Sequence, residues 1–175
     1  MSNRVYTLVF TFLVMVLARG VNAQTSSNPP TSFQIGGEVT QRLWVDLQKL
    51  QNFPVANENV TFVAAGQVVS GEYTGALLWD LLQAAGIKID PTVKNDILRK
   101  IIVITGSDGY ESAFGAGEID PDFGGNQIII AYAENGQPLG SEGFAKLIAP
   151  GDKLGGRYVS NIVTIKVYNT SPSLH

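Results

Sequence analysis

With 175 residues, 45% of them hydrophobic and 15% charged, the chain can bury one core but is short for two domains of ordinary size. A net charge of −3 without Lys/Arg clusters excludes nucleic acid as a partner, because that binding relies on basic side chains that release counterions. Cysteine is absent and the only histidine is His175, which excludes Ser-His-Asp and Cys-His catalysis, zinc sites built on those residues, disulfides and a lipidated cysteine.

Arg4 precedes an apolar run from Val5 to Leu17, and Val21-Asn22-Ala23 offers the small residues that a signal peptidase reads. The run is shorter than the roughly 20 residues that span a bilayer. The expectation is a signal peptide over 1–23, cleavage after Ala23, export to the periplasm or beyond, and no stable membrane span afterwards. Losing Arg4 and Arg19 takes the formal charge from −3 to about −5. Residues 24–32, rich in Ser, Thr, Asn and Pro, read as a flexible lead-in, 33–169 as the domain, and 170–175 as a tail.

Phe33-Gln34-Ile35 reads as a first strand, Gly36-Gly37 as a bulge or turn, and Glu38-Val39 as the continuation. Thr40 is placed to cap a short helix with Leu43, Leu47 and Leu50 facing the core, and Asn52 to Asn59 reads as a loop. Val60 to Ala65 is a strand ending in the turn Ala64-Ala65-Gly66-Gln67. Leu77, Leu78, Leu81, Leu82 and Ala85 recur at helical spacing, with Thr74 as the expected N-cap and Gly86 as the terminator. Pro91 opens a short helical piece over Thr92 to Lys100. Ile101 to Thr105, a continuous apolar run, reads as a strand buried on both faces. A turn at Gly106-Ser107-Asp108-Gly109-Tyr110 leads to a strand over Glu111 to Phe114 and a helical turn at Ala116 to Ile119. After an acidic loop come a strand over Gln127 to Ala133 and the hairpin signal Asn135-Gly136. A strand near Ala145 to Ala149, turns at Pro150-Gly151 and Gly155-Gly156, and a strand from Asn161 to Tyr168 complete the chain. The class is α+β, with a predominantly β core and a few short helices.

Glu118, Asp120 and Asp122 carry oxygen ligands suited to a hard cation, but EF-hand spacing is missing and Pro121 restricts the loop, so a solvated turn is expected. Asp108, Glu111 and Glu118 are the carboxylates from which a glycosidase pair would be drawn, without spacing that places two across a cleft. The Gly155-Gly156-Arg157 segment has the backbone N–H groups and guanidinium of an anion-binding loop, or is a plain hairpin loop with a solvated Arg. Tyr73, Trp79 and Tyr110 are candidate pocket walls, or core.

In order, the motifs are Ala64-Ala65-Gly66-Gln67 after a strand, Tyr73-Thr74-Gly75-Ala76-Leu77-Leu78-Trp79-Asp80-Leu81-Leu82, Ser107-Asp108-Gly109-Tyr110, Ile130 to Leu139, and Leu147 to Gly151 followed by Gly156-Arg157. This series resembles the oxidoreductase molybdopterin-binding domain of the sulfite oxidase type, from Phe33 to Tyr168. The resemblance implies cofactor-binding positions at Ala64, Gly66, Gln67, Asp108, Tyr110, Lys146, Gly156 and Arg157. In catalytic members a Cys-Ala-Gly-Asn-like turn supplies a thiolate to molybdenum, and here Ala64 stands at that position, where a methyl group donates nothing. Lys146 stands where the family has Arg before the Pro-Gly turn, Ser160 replaces the second residue of a basic pair, and the family's histidine contacts have no counterpart. A pterin pyrophosphate would find few charge-assisted partners. The expectation is therefore an exported, non-redox descendant with no catalytic or metal-ligating residue and no cofactor, binding a small molecule or an envelope protein near Ala64, Tyr110 and Arg157. The alternatives are a molybdopterin enzyme whose metal is held by the pterin alone, and a structural or protein-interaction domain.

Overall fold

Period-two burial in the apolar segments sets the architecture of the computed structural model, which describes residues 29–170. The strands are β1 (Ser32–Gly37), β2 (Leu43–Asp46), β3 (Val55–Ala64), β4 (Gln67–Leu77) and β5 (Lys100–Gly106). They continue with β6 (Glu111–Gly115), β7 (Ile129–Glu134), β8 (Gln137–Pro138), β9 (Lys146–Ile148) and β10 (Ile162–Asn169). Three short helices, α1 (Leu47–Gln51), α2 (Leu78–Ala85) and α3 (Ala116–Ile119), lie between them, with 3₁₀ turns at Asp96–Arg99, Gly140–Glu142 and Gly155–Arg157.

One sheet has the order β2-β1-β10-β5-β6 and the other β3-β4-β7-β8, with β9 also paired to β7. Among the described strands only β1 and β10 pair in parallel, and Ile35 faces Ile165 there. Both sheets contribute to one buried cluster, which takes Phe33, Ile104 and Ile165 from the first and Phe62, Tyr73 and Ile130 from the second. Helix α2 adds Leu78, Leu81, Leu82 and Ala85, all fully buried, as its spacing predicts. The register of β4 against β7 shifts between Thr74 and Gly75. A Cβ on Gly75 would stand 2.3 Å from the Ile130 carbonyl oxygen, so the close approach of the two strands requires glycine. Among the described residues no helix is long and apolar enough to cross a membrane. The segment expected to be a signal peptide, most of the expected lead-in and His175 lie outside the described residues.

The α+β, mainly β reading holds, and five local expectations are corrected. Leu43 to Asp46 is a strand paired with β1, and the helix starts only at Leu47, with Asp46 accepting from the Lys49 N–H at 2.8 Å. The helical spacing of Leu43, Leu47 and Leu50 yields to sheet pairing: Leu47 is exposed and only Leu50 is buried within α1. Thr40 instead donates its hydroxyl to the Ala85 carbonyl at the end of α2. The expected loop over Asn52 to Asn59 is mostly β3, whose polar Asn57, Glu58 and Asn59 suit an edge strand with one ladder partner.

Thr74 does not cap α2. It lies in β4, where its hydroxyl donates to Asn57 Oδ1 at 2.8 Å, and the Leu78 N–H is satisfied by the Ile128 carbonyl. Gly86, at φ +72°, ends the helix as expected. Thr92 to Lys100 forms only the short 3₁₀ turn, since Thr92 is held by the Asp90 carboxylate and Lys100 already belongs to β5. In β5, Ile102 and Ile104 are buried while Ile101 is exposed, the alternation of an antiparallel strand with one face on the core.

Candidate functional site

The turn that follows β3 is a two-residue hairpin in which Ala64 pairs with Gln67, and Ala65 and Gly66 both take positive φ, +49° and +77°. Pairing fixes faces: Phe62 opposite Val69 and Glu58 opposite Tyr73 lie on one side of the sheet, with Ala64 at the end of that row. Ala64, Phe62, Val69, Tyr73 and its cross-strand partner Glu134 lie along a cleft of about 440 Å³, whose lining is completed by Leu139, Ser141, Glu142 and Lys146. The structure thus brings Ala64 and Lys146, 82 residues apart in the numbering, into one cavity.

The polar groups of the cleft are linked. Lys146 is buried, pairs with Glu142 at 2.5 Å, and holds its ammonium 5.4 Å from the centre of the Tyr73 ring. The Tyr73 hydroxyl donates to Glu134 Oε1 at 2.9 Å, a contact set up by the direct pairing of the two residues across β4 and β7. Burial, the hydrogen bond to Glu134 and the charges of Glu134 and Glu142 push the Tyr73 phenol well above its ordinary range, so it stays a neutral donor.

The glycine-rich turn borders the same place. The Val63 N–H donates to the Lys153 carbonyl at 2.9 Å, and Gly155 lies so close that a Cβ there would be 2.9 Å from the Phe62 ring and 3.7 Å from Ala64 Cβ. Tyr110 donates its hydroxyl to the Gly156 carbonyl, which ties the turn after β5 to this segment. The Tyr158 ring lies 4.4 Å from that of Phe62, and burial together with Asp152 pushes its phenol up to about 12.

Arg157 is placed differently from the anion-binding expectation. Its Nε and Nη2 donate to Asp152 Oδ2 and Oδ1 at 2.8 and 2.6 Å, its Nη1 reaches Glu118 Oε2 at 3.3 Å, and its guanidinium lies 4.5 Å from the Phe114 ring centre. These bonds, those to Asp152 first, raise its pKa further and commit the side chain to joining its loop to α3. Gly66 and Gln67 sit exposed at the hairpin tip and do not line the cleft. Asp108 accepts from the Tyr110 N–H at 2.9 Å and shapes its own turn.

The carboxylates considered for hydrolysis are also committed locally: Glu111 accepts from Thr105, and Glu118 from the Gly115 N–H and from Arg157. No group of three or more acidic or histidine side chains among the described residues is arranged to hold a metal ion, so the acidic loop is a turn, with Asp120 accepting from the Asp122 N–H. Sequence reasoning missed Glu134 and Glu142. The available signals were Glu134 beginning the Asn135-Gly136 hairpin and the four-residue spacing of Glu142 and Lys146.

The family model of the oxidoreductase molybdopterin binding domain matches residues 24–174. The chain belongs to this family. The structure is similar to the sulfane dehydrogenase SoxCD from Paracoccus pantotrophus, with a TM-score of 0.65 and 21% identity over 82% of this chain and 39% of that one. The molybdopterin-binding-domain chain thus spans well under half the length of that neighbour, and the likeness concerns the fold. No curated protein matches it. The residues of this family member do not fit an anionic pterin at the Ala64 cleft. Two carboxylates face one ammonium, that ammonium is already paired, no thiol exists in the chain, and the nearby guanidinium is held by two carboxylates.

Proposed function

We propose that this chain is an exported member of the molybdopterin-binding family that works without molybdenum redox chemistry and takes a small non-pterin ligand in the Ala64 cleft. The observation that carries the reading is the pairing of Lys146 with Glu142 beside Ala64: where the family resemblance calls for a soft ligand and free positive charge, this chain has a methyl group and a neutralised ammonium. The cleft retains the size and mixed lining of a small-molecule site, with apolar walls and a few convergent polar groups.

The test is molybdenum analysis and pterin fluorescence on chain matured in a molybdenum-competent host. The expected result is neither at stoichiometric level. One molybdenum per chain would defeat the reading. Export is supported by Arg4, the following apolar run and Ala23, and N-terminal sequencing checks it: the expected mature protein begins at Gln24, and one beginning at Met1 contradicts it.

A further inference from the structure

The Ala64 cleft already solvates one ammonium. Lys146 Nζ is buried there between the Glu142 carboxylate and the face of Tyr73, the two kinds of group that hold an organic cation in a desolvated site. Because Lys146 and Glu142 cancel, the charge that remains in the lining is that of Glu134. One Glu134 oxygen accepts from Tyr73, and the other has no hydrogen bond among the described residues. Tyr73 supplies no second negative charge, since its phenol is held protonated. Phe62, Val69 and Leu139 give the same cavity an apolar wall beside these groups.

We infer that the Ala64 cleft binds a small organic ammonium compound with an apolar body, the ammonium on Glu134 and the body against Phe62, Val69 and Leu139. The inference rests on the reading of the cleft as a non-pterin ligand site and names the ligand's chemical class. An oxyanion is disfavoured by the same groups. It would meet Glu134 and would have to displace Glu142 from Lys146 before finding a partner.

The test is calorimetric titration of the mature chain with benzylamine, and with benzyl alcohol, inorganic phosphate and sulfate in parallel. Benzylamine is expected to bind at one site per chain, at least tenfold tighter than the neutral alcohol, and the two anions are expected not to bind. Glu134→Gln is expected to weaken benzylamine at least tenfold with an unchanged circular dichroism spectrum. Lys146→Met removes the resident ammonium and frees Glu142, so benzylamine is expected to bind several-fold tighter, a gain that no loss of structure produces. Equal affinity for benzylamine and benzyl alcohol, no binding of benzylamine to the native chain, or preferential binding of phosphate or sulfate each overturns the inference. Those results leave the non-pterin reading standing, whereas stoichiometric molybdopterin in the purified chain overturns that reading itself.

Discussion

Two lysines in this fold each meet a carboxylate four residues earlier, Lys100 with Asp96 and Lys146 with Glu142. Lys100 and Asp96 are sealed together, with side chains 3% and 1% exposed and the charges 2.9 Å apart. Asp96 also accepts from the Asp90 N–H and lies 3.4 Å from Arg99, so the pair fastens the Asp90–Arg99 segment to the start of β5. In the second pair the lysine is buried but Glu142 is 37% exposed and faces a cleft. The same local spacing therefore yields a structural pair where both partners are enclosed, and an exchangeable one where the carboxylate stays wet. Burial decides what the charges are for.

The largest effect is expected from Lys100→Ala, which leaves the Asp96 carboxylate enclosed without its nearest cation. The expected loss is about 3–5 kcal/mol in denaturant unfolding. The double substitution Asp96→Leu with Lys100→Met is expected to recover most of it, because a buried pair replaced by apolar side chains leaves no charge stranded. Lys146→Met, by contrast, leaves behind only a Glu142 carboxylate in contact with water and is expected to cost about 1 kcal/mol in the same measurement. A cost equal to that of Lys100→Ala would remove the distinction.

Acid sharpens the same contrast. The Asp90 N–H and the Lys100 ammonium hold the Asp96 carboxyl below its ordinary 3.8. A folded pKa below the unfolded one gives stability that is complete above the unfolded value and is lost as pH falls from 3.8 through the lower folded value. Asp96→Asn should therefore flatten the acid limb of the stability profile in that window.

The smallest expected effect lies in the hairpin that carries Ala64. Ala65 sits at φ +49°, in the left-handed region that a Cβ disfavours and Asn tolerates. Ala65→Asn is expected to stabilise the chain by about 0.5 kcal/mol, read as a small rise in melting temperature, without altering either lysine pair.

Much of the sheet was legible in the sequence because its signals are local. The Asn135-Gly136 hairpin, the Gly106 to Tyr110 turn and the apolar strand after Lys100 each carry their own turn chemistry or periodicity. The segment from Thr40 to Leu50 was misread because its leucines fit a helix, and only pairing with β1, a tertiary fact, makes it a strand. The polar start of β3 was missed for the complementary reason: an edge strand tolerates Asn and Glu, so composition there resembles a loop. At the site, Ala64 and Lys146 were identified by family resemblance, and so was Arg157, but the carboxylates that neutralise both cations were not. Glu142 and Asp152 act through short-range geometry in loops, and Glu134 through its register against Tyr73, and none of these is a property of spacing alone.

In the proposed reading the charge of the cleft, and not one missing thiol, keeps molybdenum out. The most direct measurement is the molybdenum content of Ala64→Cys beside the native chain, both matured in a molybdenum-competent host and quantified by elemental mass spectrometry. Both are expected to stay far below one molybdenum per chain, because Glu134 and Glu142 still face the cleft. One molybdenum per chain in Ala64→Cys alone would contradict that reading.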